Sequence, residues 1–222
     1  MVERLRPSRQ RSQWSDYTQT HSYAASDLAA KRALVERALA ASAPRVVWDL
    51  GCNTGEFSLL AAQTADYVVA MDGDELAVDR LYQRLASDRN PKILPLVVRL
   101  HDPSPGLGWR NRERREIADR GAPDLVLALA LAHHLVISNN IPVASVVGWL
   151  ADLGGHLVVE FVSKQDRMVQ ELLLDKIDNY DDWERDAFER ELEARFEILE
   201  RTPLESGTRF LYFARARPRP AS

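Results

Sequence analysis

The chain has 222 residues, one cysteine and a formal net charge of −4, and 45% of its residues are apolar. This size and composition suit one domain with a sizeable core, alone or with a small cap, and the acidic balance argues against a uniformly basic nucleic-acid surface. One cysteine excludes an intrachain disulfide. No segment approaches the roughly 18 unbroken apolar residues of a membrane span, and the polar first residues lack the apolar core of a secretory signal. We therefore expect a cytoplasmic protein.

The first 44 residues are predicted to form an arm and a helix that cap the rest of the chain. Residues 1–22 are rich in arginine and end in aromatic residues. Residues 25–41 carry apolar side chains at helical spacing, with charged residues such as Lys31 on the opposite side, which predicts an amphipathic helix. We expect the aromatic side chains of the arm either to line a pocket or to pack the cap onto the core.

A predicted strand over residues 45–49 is followed by the most informative turn of the sequence. The strand ends in Asp49, and the turn contains Gly51 and Gly55, which are four positions apart. A second apolar run ends in Asp72, which lies 21 positions after Gly51. This spacing differs from the Gly-x-Gly-x-x-Gly turn of dinucleotide enzymes, and Asp49 would repel a phosphate but suit a positive amine. A carboxylate at the position of Asp72 suits the two hydroxyls of a ribose.

The segment Asp49-Leu50-Gly51-Cys52-Asn53-Thr54-Gly55 resembles the first motif of class I S-adenosylmethionine (SAM) methyltransferases. Asp72 resembles the acid that ends their second strand. The resemblance implies that SAM is the cofactor, with the turn under its methionyl part, Asp72 at its ribose and Asp102 at its adenine amino group. The implied cofactor-binding residues are Asp49, Gly51, Cys52, Asn53, Thr54, Gly55, Asp72, Gly73, Asp102 and Ala130. The alternative is a strand–turn–helix unit that binds nothing, with Cys52 serving only to pack the turn.

Strand and helix signals alternate through the middle of the chain, which predicts an α/β protein with a doubly wound, mostly parallel sheet. Further strands are predicted over residues 67–72, 93–100, 124–130 and 156–162, and helices over residues 55–65, 74–87 and 141–152. Residues 165–195 are predicted to be a helical insert, followed by strands at 196–200 and 209–214. The resemblance implies a Rossmann-like sheet of seven strands with an antiparallel last strand. It also implies a SAM-binding methyltransferase domain over residues 45–222, with the insert as part of the cap.

Three candidate catalytic residues are predicted to lie at the edge where ligands bind in open parallel sheets, and they are His133, His134 and Glu160. A histidine suits a general base at neutral pH, but the same side chain could serve as a wall of the pocket. Glu160 lies in an apolar run and therefore needs a partner, which could be the substrate, a histidine, Lys164 or an arginine. The sequence contains no His and Cys spacing typical of a metal site, so no metal is predicted.

Two further patterns lie outside the cofactor motif. The pattern from Leu131 to Asp166, which includes Glu160-Phe161-Val162-x-Lys164-x-Asp166, resembles a bacterial subgroup labelled nodulation host-specificity proteins. Residues 110–120 contain five arginines and three acids, which is typical of a solvated surface, with a site for a phosphate or anionic carrier as the alternative.

The sequence therefore predicts a SAM-dependent methyltransferase that acts on a small molecule. Oxygen is the favoured acceptor atom, and secondary metabolism is one setting. We expect neither a nucleic-acid partner nor a membrane, and a monomer or a homodimer. Two alternatives stay open, an RNA methyltransferase and a SAM-binding subunit without catalysis.

Overall fold

The computed structural model describes residues 25–174 and 176–218, so the predicted arm over residues 1–22 lies outside the described residues. The helices are α1 (Ala25–Ser42), α2 (Glu56–Ala61), α3 (Glu75–Asp88), α4 (Val143–Leu153), α5 (Arg167–Leu173) and α6 (Arg185–Arg195). The strands are β1 (Val46–Leu50), β2 (Tyr67–Asp72), β3 (Ile93–Val97), β4 (Leu125–Ala128), β5 (His156–Val162), β6 (Phe196–Pro203) and β7 (Arg209–Ala216). A π-helical turn spans His134–Ser138.

The seven strands form one sheet in the order β3-β2-β1-β4-β5-β7-β6. Strands β1 to β5 pair in parallel, whereas β7 is antiparallel to both β5 and β6. The first strand, β1, lies inside the sheet. Strands β2 and β3 follow on one side of it, and β4 and the later strands on the other side, which places a switch point between β1 and β4. The predicted mostly parallel, seven-stranded sheet with an antiparallel last strand is confirmed.

Helices cover both faces of the sheet, and β4 shows this most clearly because all four of its residues are buried. Successive side chains of a strand point to opposite faces. Val126 therefore packs with α4 and with the aromatic side chains of Trp183 and Phe188, while Leu125 packs on the other face with residues of α1, α2 and α3. Such continuous burial is typical of a parallel sheet between two helical layers.

Helix α1 differs from its prediction in one respect, since Lys31 does not lie on the solvent side. The buried residues of α1 follow one helical stripe that begins with Asp27 and Lys31 and continues into apolar positions. Lys31 is 3% exposed. The N-terminal part of α1 faces charged residues of β5 and β7, so the buried stripe is polar there.

The predicted insert over residues 165–195 forms α5, α6 and the segment between them. Trp183 and Phe188 are fully buried in the core, and α6 packs against α4 and β6. Their aromatic side chains therefore pack the helical layer rather than line a pocket. No helix within residues 25–174 and 176–218 is long and apolar enough to cross a membrane. The division of the chain into a cap and a domain at residue 45 stays a prediction.

Candidate functional site

A cavity of about 530 Å³ lies beyond the carboxyl ends of β1, β2 and β4, where α1 covers the edge of the sheet. Its wall includes eight of the ten predicted cofactor residues, namely Asp49, Gly51, Cys52, Asn53, Thr54, Asp72, Gly73 and Ala130. Of the three candidate catalytic residues, His134 belongs to this wall. Helix α1 contributes Leu28 and Lys31, which the sequence alone did not indicate.

The turn after β1 has a backbone that requires small residues at its two glycines. Gly51 and Gly55 have φ angles of 75° and 81°, in the region that favours glycine. A Cβ atom at Gly55 would also lie 2.4 Å from Cδ1 of Leu81, because α3 packs directly against the turn. Gly55 therefore allows a close contact between the turn and a neighbouring helix, although its own atoms lie outside the cavity wall.

The amide groups of this turn are already used within the protein. Gly51 and Cys52 both donate to the carbonyl oxygen of Met71, at 2.8 and 3.0 Å, and Gly55 donates to the carbonyl oxygen of Cys52 at 2.8 Å. An anion bound at a glycine turn needs amide groups directed at it. The observed pattern therefore disfavours a pyrophosphate, in agreement with the spacing of the two glycines.

Asp72 ends β2 with both carboxylate oxygens fixed by backbone amides. Oδ2 accepts from the amide of Asn53 and Oδ1 from the amide of Asp74, both at 2.8 Å. Burial raises the pKa of Asp72, and these amide bonds oppose the rise. Asp74 in turn caps α3 by accepting from the amide of Leu76 at 2.9 Å. The carboxylate of Asp72 thus holds the two loops of the cavity together in a fixed orientation.

Asp49 is a second carboxylate in the wall, and it is 3% exposed. The hydroxyl of Ser58 donates to its Oδ2 at 2.5 Å. Burial raises its pKa to about 7, and the negative charge of Asp72 adds to the rise although the Ser58 bond opposes it. A cation placed in the cavity would stabilise the ionised form of Asp49.

The two histidines follow β4 and have different environments. His134 belongs to the cavity wall, and burial together with the charge of Arg209 lowers its pKa to about 4. His133 is fully buried behind it, and its ring nitrogens have no hydrogen-bond partner within the described residues. Burial lowers the pKa of His133 well below its ordinary value, with smaller contributions from His134, Arg209 and Lys31. Both imidazoles are therefore neutral at physiological pH.

The turn that carries His134 is held from outside by the segment after α5. The ammonium group of Lys176 donates to the carbonyl of Ile137 at 2.5 Å and to that of Ser138 at 3.2 Å. The hydroxyl of Tyr180 donates to the carbonyl of Ile137 at 2.9 Å. A cation and a hydroxyl at the end of a helical turn satisfy carbonyl groups that have no partner within it.

Glu160 is fully buried and forms the centre of a charged network behind the cavity wall. Its Oε2 accepts from the ammonium group of Lys31 at 2.7 Å and from the amide of Ala130 at 2.9 Å. Its Oε1 lies 3.3 Å from Nη1 of Arg209, which also binds Asp166 through two bonds of 2.6 and 2.9 Å. Of the partners that the sequence suggested for Glu160, the arginine is present as Arg209. Lys164 pairs instead with Asp178.

The chain is similar to a curated nodulation protein and to solved methyltransferase structures. No protein-family model matches the chain. The chain is 34% identical over 202 residues to nodulation protein NoeA of Rhizobium meliloti (strain 1021), and the match covers 90% of this chain but 42% of that protein. The crystal structure of N-methyltransferase NodS from Bradyrhizobium japonicum WM9, in complex with S-adenosyl-L-homocysteine, is 16% identical with a TM-score of 0.62, covering 86% of this chain and 88% of that one. The crystal structure of an rRNA methylase from Escherichia coli is 21% identical with a TM-score of 0.57, and the match covers 86% of this chain and 65% of that one.

The chain has the class I methyltransferase fold. The resemblance seen in the sequence is confirmed in the fold, and the similarity to a nodulation protein agrees with the resemblance of residues 131–166. The chain spans less than half the length of this curated relative.

Besides Gly55, a second predicted cofactor residue, Asp102, is absent from the cavity wall. Asp102 is exposed, and the loop after β3 contributes Val98, Arg99, Leu100 and His101 to the wall instead. The role of Asp102 at an adenine stays a prediction.

Lys31 and Leu28 are the clearest residues that sequence reasoning missed. A signal was present, because Asp27 and Lys31 lie at positions i and i+4 and continue the buried stripe of α1. Charged residues are seldom fully buried unless they are paired, so the pattern alone favoured solvent. Over the described ranges, no group of three or more His, Cys, Asp or Glu side chains is placed to hold a metal ion.

Proposed function

We propose that the chain is a SAM-dependent methyltransferase. The observation that carries the proposal is the cavity at the switch point, where Asp49 and Asp72 line the wall on either side of the turn at Gly51. Two carboxylates beside a turn with no outward amides suit a cationic nucleoside better than a phosphate. The fold shared with methyltransferases supports the same cofactor.

The proposed roles follow from the positions of the side chains. Asp72 accepts hydrogen bonds from the ribose hydroxyls of SAM, because its orientation is fixed by Asn53 and Asp74. The turn from Gly51 to Thr54 lies under the methionyl part, and Asp49 provides negative charge for its positive groups. SAM supplies a methyl group that is activated by its positive sulfur, so the protein has to align the acceptor and exclude water.

We propose that the acceptor is a small molecule methylated at oxygen, bound on the side of the cavity formed by α1 and the His134 turn. This side contains Leu28, Lys31, Leu135, Ser138 and Asn139. A neutral imidazole at His134 can accept a hydrogen bond from a hydroxyl acceptor. Its low pKa makes it a weak base, so alignment contributes more than proton removal by a histidine.

The direct test of the proposal is calorimetric titration with SAM and S-adenosylhomocysteine, followed by a methyl-transfer assay against a panel of hydroxyl and amine compounds. Binding of both ligands and production of S-adenosylhomocysteine with at least one acceptor would support it. Absence of binding would exclude a SAM enzyme. Binding without any transfer would favour the alternative of a SAM-binding subunit, and product analysis separates oxygen from nitrogen methylation.

Binding of SAM should depend on pH through Asp49. Because the pKa of Asp49 in the unliganded protein is about 7, this group is mostly protonated at pH 6 and must release a proton to accept a cation. The ratio of ionised fractions makes SAM affinity about tenfold weaker at pH 6 than at pH 8. Titrations over this range in buffers of different ionisation enthalpy measure both the affinity and the proton release.

The variant Asp49→Asn provides the control, since it should bind SAM more weakly and lose the pH dependence. A dependence of SAM affinity on pH that persists in this variant would assign the proton to another group.

The raised pKa of Asp49 also affects folding. The raised pKa of Asp49 contributes stability to the unliganded protein at acidic pH, and this contribution is lost as the pH rises towards and through about 7.

Methyl transfer should show no histidine titration between pH 6 and 8, because the pKa of His134 is about 4 and that of His133 is also lowered. The measurement is kcat against pH with the best acceptor of the panel, for the wild type and for His134→Ala. We expect the variant to lower kcat while SAM affinity changes by less than about threefold. An acidic limb near pH 6.5 that disappears in the variant would instead identify His134 as a base.

RNA methylation is the second candidate function, and one surface favours it. The loop between β3 and β4 exposes Trp109, which is 78% exposed, together with the arginines of residues 110–120. Aromatic and arginine side chains together suit single-stranded RNA. Binding of a short RNA that weakens steeply with salt would support this candidate, whereas salt-independent or absent binding would exclude it.

A further inference from the structure

The buried network behind the cavity contacts the backbone of the wall at one point, the amide of Ala130. This amide donates to Oε2 of Glu160 at 2.9 Å, and Ala130 has a φ angle of 48°. A residue other than glycine adopts this left-handed region uncommonly. The bond to Glu160 therefore holds the peptide in an orientation that alanine would not choose by itself.

The orientation of that peptide determines where the carbonyl of Leu129 points. A peptide bond is planar and trans, so the carbonyl of residue 129 is directed opposite to the amide of residue 130. Glu160 is buried behind the wall, whereas Leu129 and Ala130 both belong to it. Strand β4 lies between β5 and β1, so the carbonyl of Leu129 is directed away from Glu160 of β5 and towards the side of β1.

Asp49 lies close to the same place. It pairs with Leu127 in the register of β1 and β4, so Leu129 lies two residues beyond this pair at the strand end. A Cβ atom on Gly51 would contact the side chain of Leu131 at 3.4 Å, which confirms that the two loops are adjacent. A carboxylate and a backbone carbonyl side by side form a suitable acceptor pair for an ammonium group.

We propose that Glu160 is a positioning residue for the amino group of SAM. Lys31 and Arg209 hold its carboxylate, and the carboxylate orients the 129–130 peptide so that the Leu129 carbonyl accepts from the amino group beside Asp49. Lys31 belongs to α1, so this network makes the N-terminal helix part of the cofactor site. The inference rests on the proposed function and assigns Glu160 a role different from direct catalysis.

The test compares two ligands and two substitutions of Glu160. S-adenosylhomocysteine carries the amino group, whereas 5′-methylthioadenosine shares the nucleoside and sulfur but has no amino acid end. Glu160→Met removes the acceptor for the Ala130 amide, and Glu160→Gln retains an oxygen that can accept from both Ala130 and Lys31. Both variants lose the same charge, so their difference isolates the hydrogen bond.

We expect Glu160→Met to weaken S-adenosylhomocysteine by about tenfold, the scale of one hydrogen bond to a charged group, and to leave 5′-methylthioadenosine within about threefold. Glu160→Gln should restore the affinity for S-adenosylhomocysteine to within about threefold of the wild type. Glu197→Met is the matched control, because Glu197 pairs with Arg215 on the exposed surface. Calorimetry gives the affinities, and circular dichroism verifies folding.

A general loosening of the fold would weaken both ligands equally, and that result would overturn the proposal. Unchanged affinity in Glu160→Met, or an equal loss in Glu160→Gln, would overturn it as well. Should Glu160→Met fail to fold, the double variant Lys31→Met/Glu160→Met removes both charges of the buried Lys31–Glu160 pair, and the same comparison of ligands decides. A wild-type protein that binds neither ligand would refute the proposed function itself, which is a separate outcome.

Discussion

Replacement of Asp72 by alanine is expected to weaken SAM binding by about a hundredfold. Each ribose hydroxyl that donates to a carboxylate contributes about 1.5 kcal/mol or more, and two such bonds give about 3 kcal/mol, which is a factor of about a hundred. The substitution also removes the acceptor of the Asn53 and Asp74 amides, so the two loops of the cavity lose their common anchor. Calorimetric titration with SAM measures the loss.

Two further variants make this result specific. Asp72→Asn keeps one carbonyl oxygen in place and should lose less affinity than Asp72→Ala. Asp88→Ala removes an acid from the exposed end of α3, where it pairs loosely with Arg84 at 3.8 Å, and should leave the affinity unchanged. Equal SAM affinity in Asp72→Ala and the wild type would show that the ribose lies elsewhere.

The sheet could be predicted from the sequence because its signals are local. Buried parallel strands such as β4 are short apolar runs, and the strand–turn–helix at Gly51 carries both the acid and the glycines that its backbone requires. The position of the cavity then followed from the rule that ligands bind beyond the carboxyl ends of parallel strands. Eight of the ten cofactor residues that the resemblance to class I methyltransferases implies do line it.

The roles of the charged residues could not be predicted, because they depend on contacts distant in sequence. Lys31 and Glu160 are 129 positions apart, and only the packing of α1 over β5 brings their side chains to 2.7 Å. The low pKa of His134 likewise results first from burial and then from the charge of Arg209, which lies on β7 and is distant in sequence. The sequence shows neither the burial of His134 nor the position of Arg209, so this lowered pKa could not be predicted from it.

Replacement of Arg209 by methionine should lower the unfolding free energy strongly. This side chain is 2% exposed and neutralises Asp166 through two bonds, while its third contact reaches Glu160. Burial alone would raise the pKa of Asp166, but the bonds and positive charge of Arg209, together with the bonds from Met168 and Thr208, lower it. In Arg209→Met, two buried carboxylates lose a partner, and breaking a buried pair in this way costs about 3–5 kcal/mol. Urea denaturation of the unliganded protein measures the loss.

Arg215 provides a control on the same strand. Its side chain is 57% exposed and pairs with Glu197 at 2.5 Å, so Arg215→Met should cost less than about 1 kcal/mol, as surface ion pairs do. The double variant Arg209→Met/Asp166→Leu should recover part of the loss, because it removes one of the carboxylates left without a partner. Equal stability of Arg209→Met and Arg215→Met would mean that water or rearranged side chains compensate for the lost charge. Glu160 would then not depend on Arg209 for its orientation, and Lys31 alone would hold it against the Ala130 amide.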